Sequence, residues 1–138
     1  MRFPNGSAIT PDGQTLIVAE SGGNRLTAFD IAADGELSNQ RVWAALGDAI
    51  PDGIALDAEG AVWVASPNLG AVIRVFEGGR EAERIATRQG AYACALGGPD
   101  RKALFVLTAA SIDPDACRAR RRGRIEVAAV DVPGAGYP

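Results

Sequence analysis

The chain has no histidine among its 138 residues. That absence removes Ser-His-Asp and Cys-His nucleophilic sites, and any histidine-held zinc, from this chain. Chemistry here must rest on carboxylates, amides, hydroxyls, lysine, arginine, tyrosine or cysteine. Cysteine is scarce too. Cys94 falls in an apolar strand pattern and Cys117 in a polar insert, and their spacing matches no zinc motif. Two reduced thiols are expected. Aromatic residues are only 6% of the chain, too few for a stacking platform, and the formal charge of −3 exerts no general pull on nucleic acid. The cluster Arg118, Arg120, Arg121, Arg122, Arg124 therefore reads as a solvated loop. No apolar run approaches the roughly 20 residues that span a bilayer. Met1-Arg2-Phe3-Pro4 has no signal-peptide core. These absences predict no nucleic-acid partner, no membrane partner and a cytoplasmic location.

Glycine and proline, by contrast, are plentiful, and they recur at the ends of short apolar runs. That pattern belongs to an all-β chain with many turns. Pro51-Asp52-Gly53-Ile54-Ala55-Leu56 has an earlier copy, Pro4-Asn5-Gly6-Ser7-Ala8-Ile9, and each is followed by a turn and an apolar run. The register puts Asn5 and Asp52 in the same place. Aligning Ala95 with Ala8 and Ala55 puts Tyr92 there in a third copy. The first unit, about 4–45, predicts strands at 6–10, 15–20, 25–31 and 40–44. The second, 51–87, predicts strands at 53–57, 61–66, 71–77 and 82–87. The third, 92–132, predicts strands at 93–96, 103–108 and 124–132, a polar insert at 110–122, and a tail with no fourth strand. Meanders repeating every 40–50 residues are the sign of a β-propeller. Propellers typically have 4–8 blades, so three blades leave the ring incomplete. Trp43 and Trp63 are expected between blades. Glu20 is expected to be solvated, and Asp12, Asp57, Glu59 and Asp100 to be turn residues or exposed.

Three groups of blocks, in this order, resemble the gluconolactonase / senescence-marker-protein (regucalcin) family. They are Phe3-Pro4-Asn5-Gly6 with Ala8 to Gly13 and Leu26 to Asp30, Pro51-Asp52-Gly53 through Ala65, and Ala93-Cys94-Ala95-Leu96-Gly97-Gly98-Pro99-Asp100. The resemblance covers nearly all of this chain but only about the C-terminal half of the family's fold. It implies a six-bladed propeller with one divalent cation in the channel. Calcium is first in expectation, with zinc, magnesium or manganese as alternatives. It also implies hydrolysis of a small sugar lactone to the acid. The family's two C-terminal metal ligands match Asn5 and Asp52, and Asp52 would also be the general base. The family's N-terminal ligands and its main substrate-contacting arginine have no counterpart here. Tyr92 would flank the channel mouth and touch substrate. An amide oxygen beside a carboxylate suits a hard cation, but calcium takes 6–8 oxygens, so the lone chain should bind it weakly. Three readings follow: half of a lactone hydrolase, a non-catalytic propeller fragment, and a homodimer of 3 + 3 blades formed through exposed blade faces.

Overall fold

Strand, turn and strand alternate along the chain and build three antiparallel sheets. The computed structural model describes residues 1–135. The first sheet runs in the order β1 (Pro4–Ile9), β2 (Thr15–Glu20), β3 (Arg25–Ile31) and β4 (Leu37–Ala45). The second runs β5 (Ile54–Leu56), β6 (Val62–Ser66), β7 (Ala71–Val75) and β8 (Glu81–Ala86). The third has three strands: β9 (Gly90–Gly97), β10 (Ala103–Ala109) and β11 (Arg124–Ala129). Each sheet is a meander in chain order, because turns that short permit only neighbouring antiparallel pairs. This is the all-β blade architecture read from the repeats. The ring does not close, and the third blade lacks a fourth strand among the described residues.

The blades stack face to face. Ile17, Ala19, Leu26, Ala28 and Trp43 of the first pack on Ile54, Val62, Val64, Ile73 and Val75 of the second. The second blade's other face carries Trp63, Ala65 and Val72, which meet Cys94, Leu96, Leu104 and Val106 of the third. Trp43 and Trp63 thus lie between blades. Blade two is covered on both sides, so every residue of β6 and β7 is buried. In β10 burial alternates, because only one face is covered.

Several local expectations change. The strand expected at 40–44 begins earlier, at Leu37, because β4 pairs along β3 as far as Ile31. Leu26, Thr27 and Ala28 are all buried, although strand alternation would expose Thr27; its hydroxyl donates to buried Glu20. The polar insert holds a short helix, α1 (Pro114–Ala119). Asp113 caps it by accepting from the Ala116 N–H at 2.8 Å, and proline opens its first turn. The strand expected at 124–132 stops at Ala129. The tail then crosses to blade two: Gly134 bridges Asp57, and the Ala135 N–H donates to the Leu56 carbonyl at 3.0 Å. The rest of the tail, residues 136–138, lies outside the described residues. Among the described residues no helix is long and apolar enough to cross a membrane.

Candidate metal and catalytic site

The first strands β1, β5 and β9 stand side by side at the inner edge, held by one repeated device. The Gly6 N–H donates to the Asp52 carbonyl at 3.0 Å, and the Gly53 N–H donates to the Tyr92 carbonyl at 2.9 Å. Each glycine of the Asx-Gly pair therefore binds the residue that matches Asx in the next blade. The contact is too close for a side chain. A Cβ at Gly6 would stand 2.6 Å from the Asp52 carbonyl oxygen and 2.7 Å from the Gly53 Cα. One at Gly53 would stand 2.7 Å from the Ala93 Cα. Gly6 sets the spacing that brings Asn5 to Asp52, and Gly53 sets the spacing between the second and third blades.

The backbone at Asp52 is fixed from several sides. Its N–H donates to the Ala65 carbonyl at 2.9 Å. The preceding loop is pinned by Asn68, which accepts from the Ile50 N–H at 2.9 Å and donates to the Asp48 carbonyl at 2.9 Å. Ser66 donates to the Ile50 carbonyl at 3.0 Å. Ser21 donates its hydroxyl to the Pro51 carbonyl at 2.6 Å, and the same oxygen accepts from Asn5 Nδ2 at 3.4 Å. Ser21 thus ties the two candidate ligand segments together. The sequence offered only a generic Ser-Gly-Gly-Asn turn there, with no signal for this role.

Asp52 is half-buried, and burial pushes its carboxyl above the ordinary value; the Asn5 amide and the Gly53 N–H beside it pull part of that back. No lysine or arginine is among the groups that shift it. A desolvated carboxylate beside an amide, without a protein cation, is a donor pair that a hard metal ion would complete. Asn5 is exposed. Among the described residues no three His, Cys, Asp or Glu side chains cluster as a metal set. The residues present fit part of a divalent-cation site, the amide-and-carboxylate part.

The pH consequence follows from the direction of the shift. Folded Asp52 holds its proton more tightly than unfolded Asp52 does. Its ionised form therefore lowers stability at neutral pH, and that loss is recovered as pH falls through the folded value. Asp52→Asn is expected to raise the melting temperature of the metal-free chain at pH 7. The difference from wild type should shrink toward pH 4, near the ordinary carboxylate value of about 3.9. A variant that melts lower than wild type at pH 7 would remove the desolvation argument.

Tyr92 reaches the expected register position through its carbonyl. Its ring fills the space a side chain at Gly90 would occupy, with Cε2 3.2 Å from that position. Glu20 is not solvated: it is fully buried. Burial alone would push its carboxyl up, but the Thr27 hydroxyl, the Arg2 N–H and the Arg25 guanidinium together hold it below its ordinary value. Asp57 is a turn residue as expected, accepting from the Glu59 and Ala61 N–H groups, yet it is also buried and paired with Arg74 at 2.6 Å. Asp12 and Asp100 make ordinary turn bonds to the N–H groups of Gln14 and Lys102. Cys94 and Cys117 are free thiols. Below the ligand pair, a cleft of about 400 Å³ follows the first strands and is lined by Ala8, Ala55, Cys94 and Ala95, among others. The arginine-bearing insert lies at the site end of blade three, where Gln89 Nε2 donates to the Arg122 carbonyl at 2.8 Å.

Residues 1–110 match the model of the SMP-30/Gluconolactonase/LRE-like region. Regucalcin of Xenopus laevis is 34% identical over 110 residues, which are 76% of this chain and 37% of that protein. In structure, the chain is similar to a regucalcin from Agrobacterium tumefaciens described as a calcium-binding protein. The TM-score is 0.75 at 26% identity, over 97% of this chain and 47% of that one. A gluconolactonase of Xanthomonas campestris is 32% identical with a TM-score of 0.64, over 77% of this chain and 35% of that one. The chain thus spans roughly a third to a half of the relatives it matches.

Proposed function

Because this chain belongs to the SMP-30/gluconolactonase/LRE-like family, we propose that it supplies the C-terminal part of a sugar-lactone hydrolase that works with a divalent cation, calcium foremost. The observation that carries this reading is the pair Asn5 and Asp52. They stand in adjoining blades at one end of the first strands, and Asp52 is desolvated without a cationic side chain among the groups that shift it. The calcium-binding description of the Agrobacterium relative supports the choice of ion.

The reaction adds water to the lactone carbonyl carbon and breaks the ring C–O bond. One water proton leaves at the attack, and a proton ends on the ring oxygen that becomes a hydroxyl. When bound, a divalent cation would polarise the carbonyl and make a nearby water more acidic. The chain's own residues hold and aim. Asn5 and Asp52 supply an amide oxygen and a carboxylate. Ser21 fixes the Asn5 amide and the loop before Asp52. Asp52 is placed to take the water proton and return it to the leaving oxygen; a cation bound beside it would hold it ionised and so able to accept that proton. Tyr92 flanks this end of the channel as a substrate contact.

The test is a calcium titration of thermal stability, run beside a lactonase assay on a sugar lactone. Calcium is expected to raise the melting temperature of the wild type and not of Asp52→Ala. Asp52→Ala should also lose at least a hundredfold in lactone opening, as a general base typically contributes roughly 10²–10⁴. Unchanged activity in that variant would end the assignment of Asp52. A propeller fragment without a complete site predicts neither response.

A further inference from the structure

Among the described residues, blades one and three each keep one open face. We propose that a chain of these 138 residues covers both faces with a second copy, so that two half-rings make six blades around one channel. The pairing rests on the sheet faces; the shared ion site within it rests on the lactonase reading above.

The open face of blade three is apolar in every row. Phe105 lies between Ala95 and Val127 across the three strands, Leu107 between Ala93 and Ile125, and Ala103 between Gly97 and Ala129. Leu107, Ile125 and Val127 are 46%, 68% and 60% exposed. The opposite face of β9 and β10 is packed against blade two. A strand reading Ala-Leu-Phe-Val-Leu-Thr-Ala carries apolar residues for two covered faces. The wholly buried β6 is the same kind of strand with both faces covered. Blade one's open face holds Ile9, Leu16, Phe29 and Val42, with Ile9 57% and Val42 56% exposed, whereas Val18, Thr27 and Glu20 on the same face are already buried.

These two faces are complementary in kind. In the repeat register, Ala8 and Ala55 face the following blade, while Ile54 and Cys94 face the preceding one. Blade three offers a following-blade face through Ala95, and blade one a preceding-blade face through Ser7 and Ile9. Joining them repeats the sense of both existing junctions. A two-fold axis along the channel makes both new junctions at once and leaves no open end. The chain covers 47% of the Agrobacterium propeller, so two copies match one ring in length. With strands ~4.8 Å apart and ~3.3 Å per residue, the four faces offer on the order of 1,100 Å² before side-chain relief. Stable complexes bury about 1,200–2,000 Å². One junction would differ in detail. Ala93 stands where Gly6 and Gly53 stand, so its methyl holds the neighbouring first strand farther off, and the outer strands carry that contact. The axis would bring an Asn5 and an Asp52 from each copy around one channel, which doubles a ligand set that is short of oxygens.

Light scattering on the purified chain is expected to give twice the 14.3 kDa chain mass. Val127→Glu on one face and Ile9→Glu on the other should each return a single-chain mass. Ile112→Glu, exposed on the insert, should leave the doubled mass unchanged. Calcium in equilibrium dialysis should saturate at one ion per two chains. A single-chain mass for the wild type overturns the proposal. So does an open-ended series of larger masses, or a doubled mass that survives both face variants. One ion per chain overturns the shared channel. A doubled mass with no calcium bound upholds the pairing and counts against the lactonase reading; a single-chain mass with lactonase activity does the reverse.

Discussion

Asp57→Ala is expected to cost about 3–5 kcal/mol of folding stability, the usual penalty for removing one partner of a buried ion pair. Small domains hold about 5–15 kcal/mol in total, so this change alone would bring the chain near its unfolding limit. Asp57 is 1% exposed, and the side chain of Arg74 only 9%. One Asp57 oxygen takes the Arg74 Nε at 2.6 Å; the other closes the β5–β6 turn by accepting from Glu59 and Ala61. The variant therefore strands a buried guanidinium and opens the turn at once. Glu59 keeps a 2.8 Å contact to Arg74, but its side chain is 58% exposed and cannot replace a desolvated partner. Arg74 also lies over the Phe76 ring, 4.9 Å from its centre, a contact the variant leaves in place but which supplies no hydrogen-bond acceptor for the freed Nε. Urea unfolding by fluorescence reads the result, since Trp63 is fully buried in this blade. A loss under about 1 kcal/mol would place the pair in the class of solvated surface bridges.

The blades were legible in the chain because turn chemistry and alternation agree at every repeat. Pro-Asx-Gly opens the first strands of two blades, and the apolar runs that follow are β-rich. Even β8, whose residues favour helix, follows the repeat, because its pairing with β7 outweighs propensity. Positions were legible; contacts across blades were not. Glu20 and Asp57 both end short apolar stretches, where a carboxylate is normally solvated. What buries them is Thr27, Arg25 and Arg74, partners that pattern does not pair with them. Tyr92 shows the same limit: register fixed its backbone place, while its ring turned onto Gly90. The helix in the insert had a start signal, Asp113-Pro114, but six residues are too few for a helical period to be visible. The candidate ligands were found through repeat register and family likeness. Ser21, which positions them, carried no signal of either kind.

Gly6→Ala is expected to disable the ligand pair while leaving both ligands in the chain. Gly6 reads as a turn glycine, yet its work is to let β1 touch β5. The added Cβ would meet three backbone atoms of blade two at 2.6–2.7 Å, and none of them can swing aside as a side-chain tip can. Relief requires the strands to part, which stretches the 3.0 Å bond from Gly6 to the Asp52 carbonyl. Overpacking of this kind costs about 1–3 kcal/mol. The functional loss should be larger than the stability loss. Asn5 adjoins Gly6 and Asp52 adjoins Gly53, so any parting of the strands separates the amide from the carboxylate directly. Calcium affinity should fall at least tenfold, while circular dichroism keeps its β-sheet signature. Gly53→Ala should lower stability by a similar amount, but it parts blades two and three, leaving Asn5 beside Asp52 and the calcium response closer to wild type. Equal calcium losses in the two variants would mean that the Gly6 contact does not set the ligand distance. A larger loss in Gly6→Ala ties the site to the spacing of the first two blades.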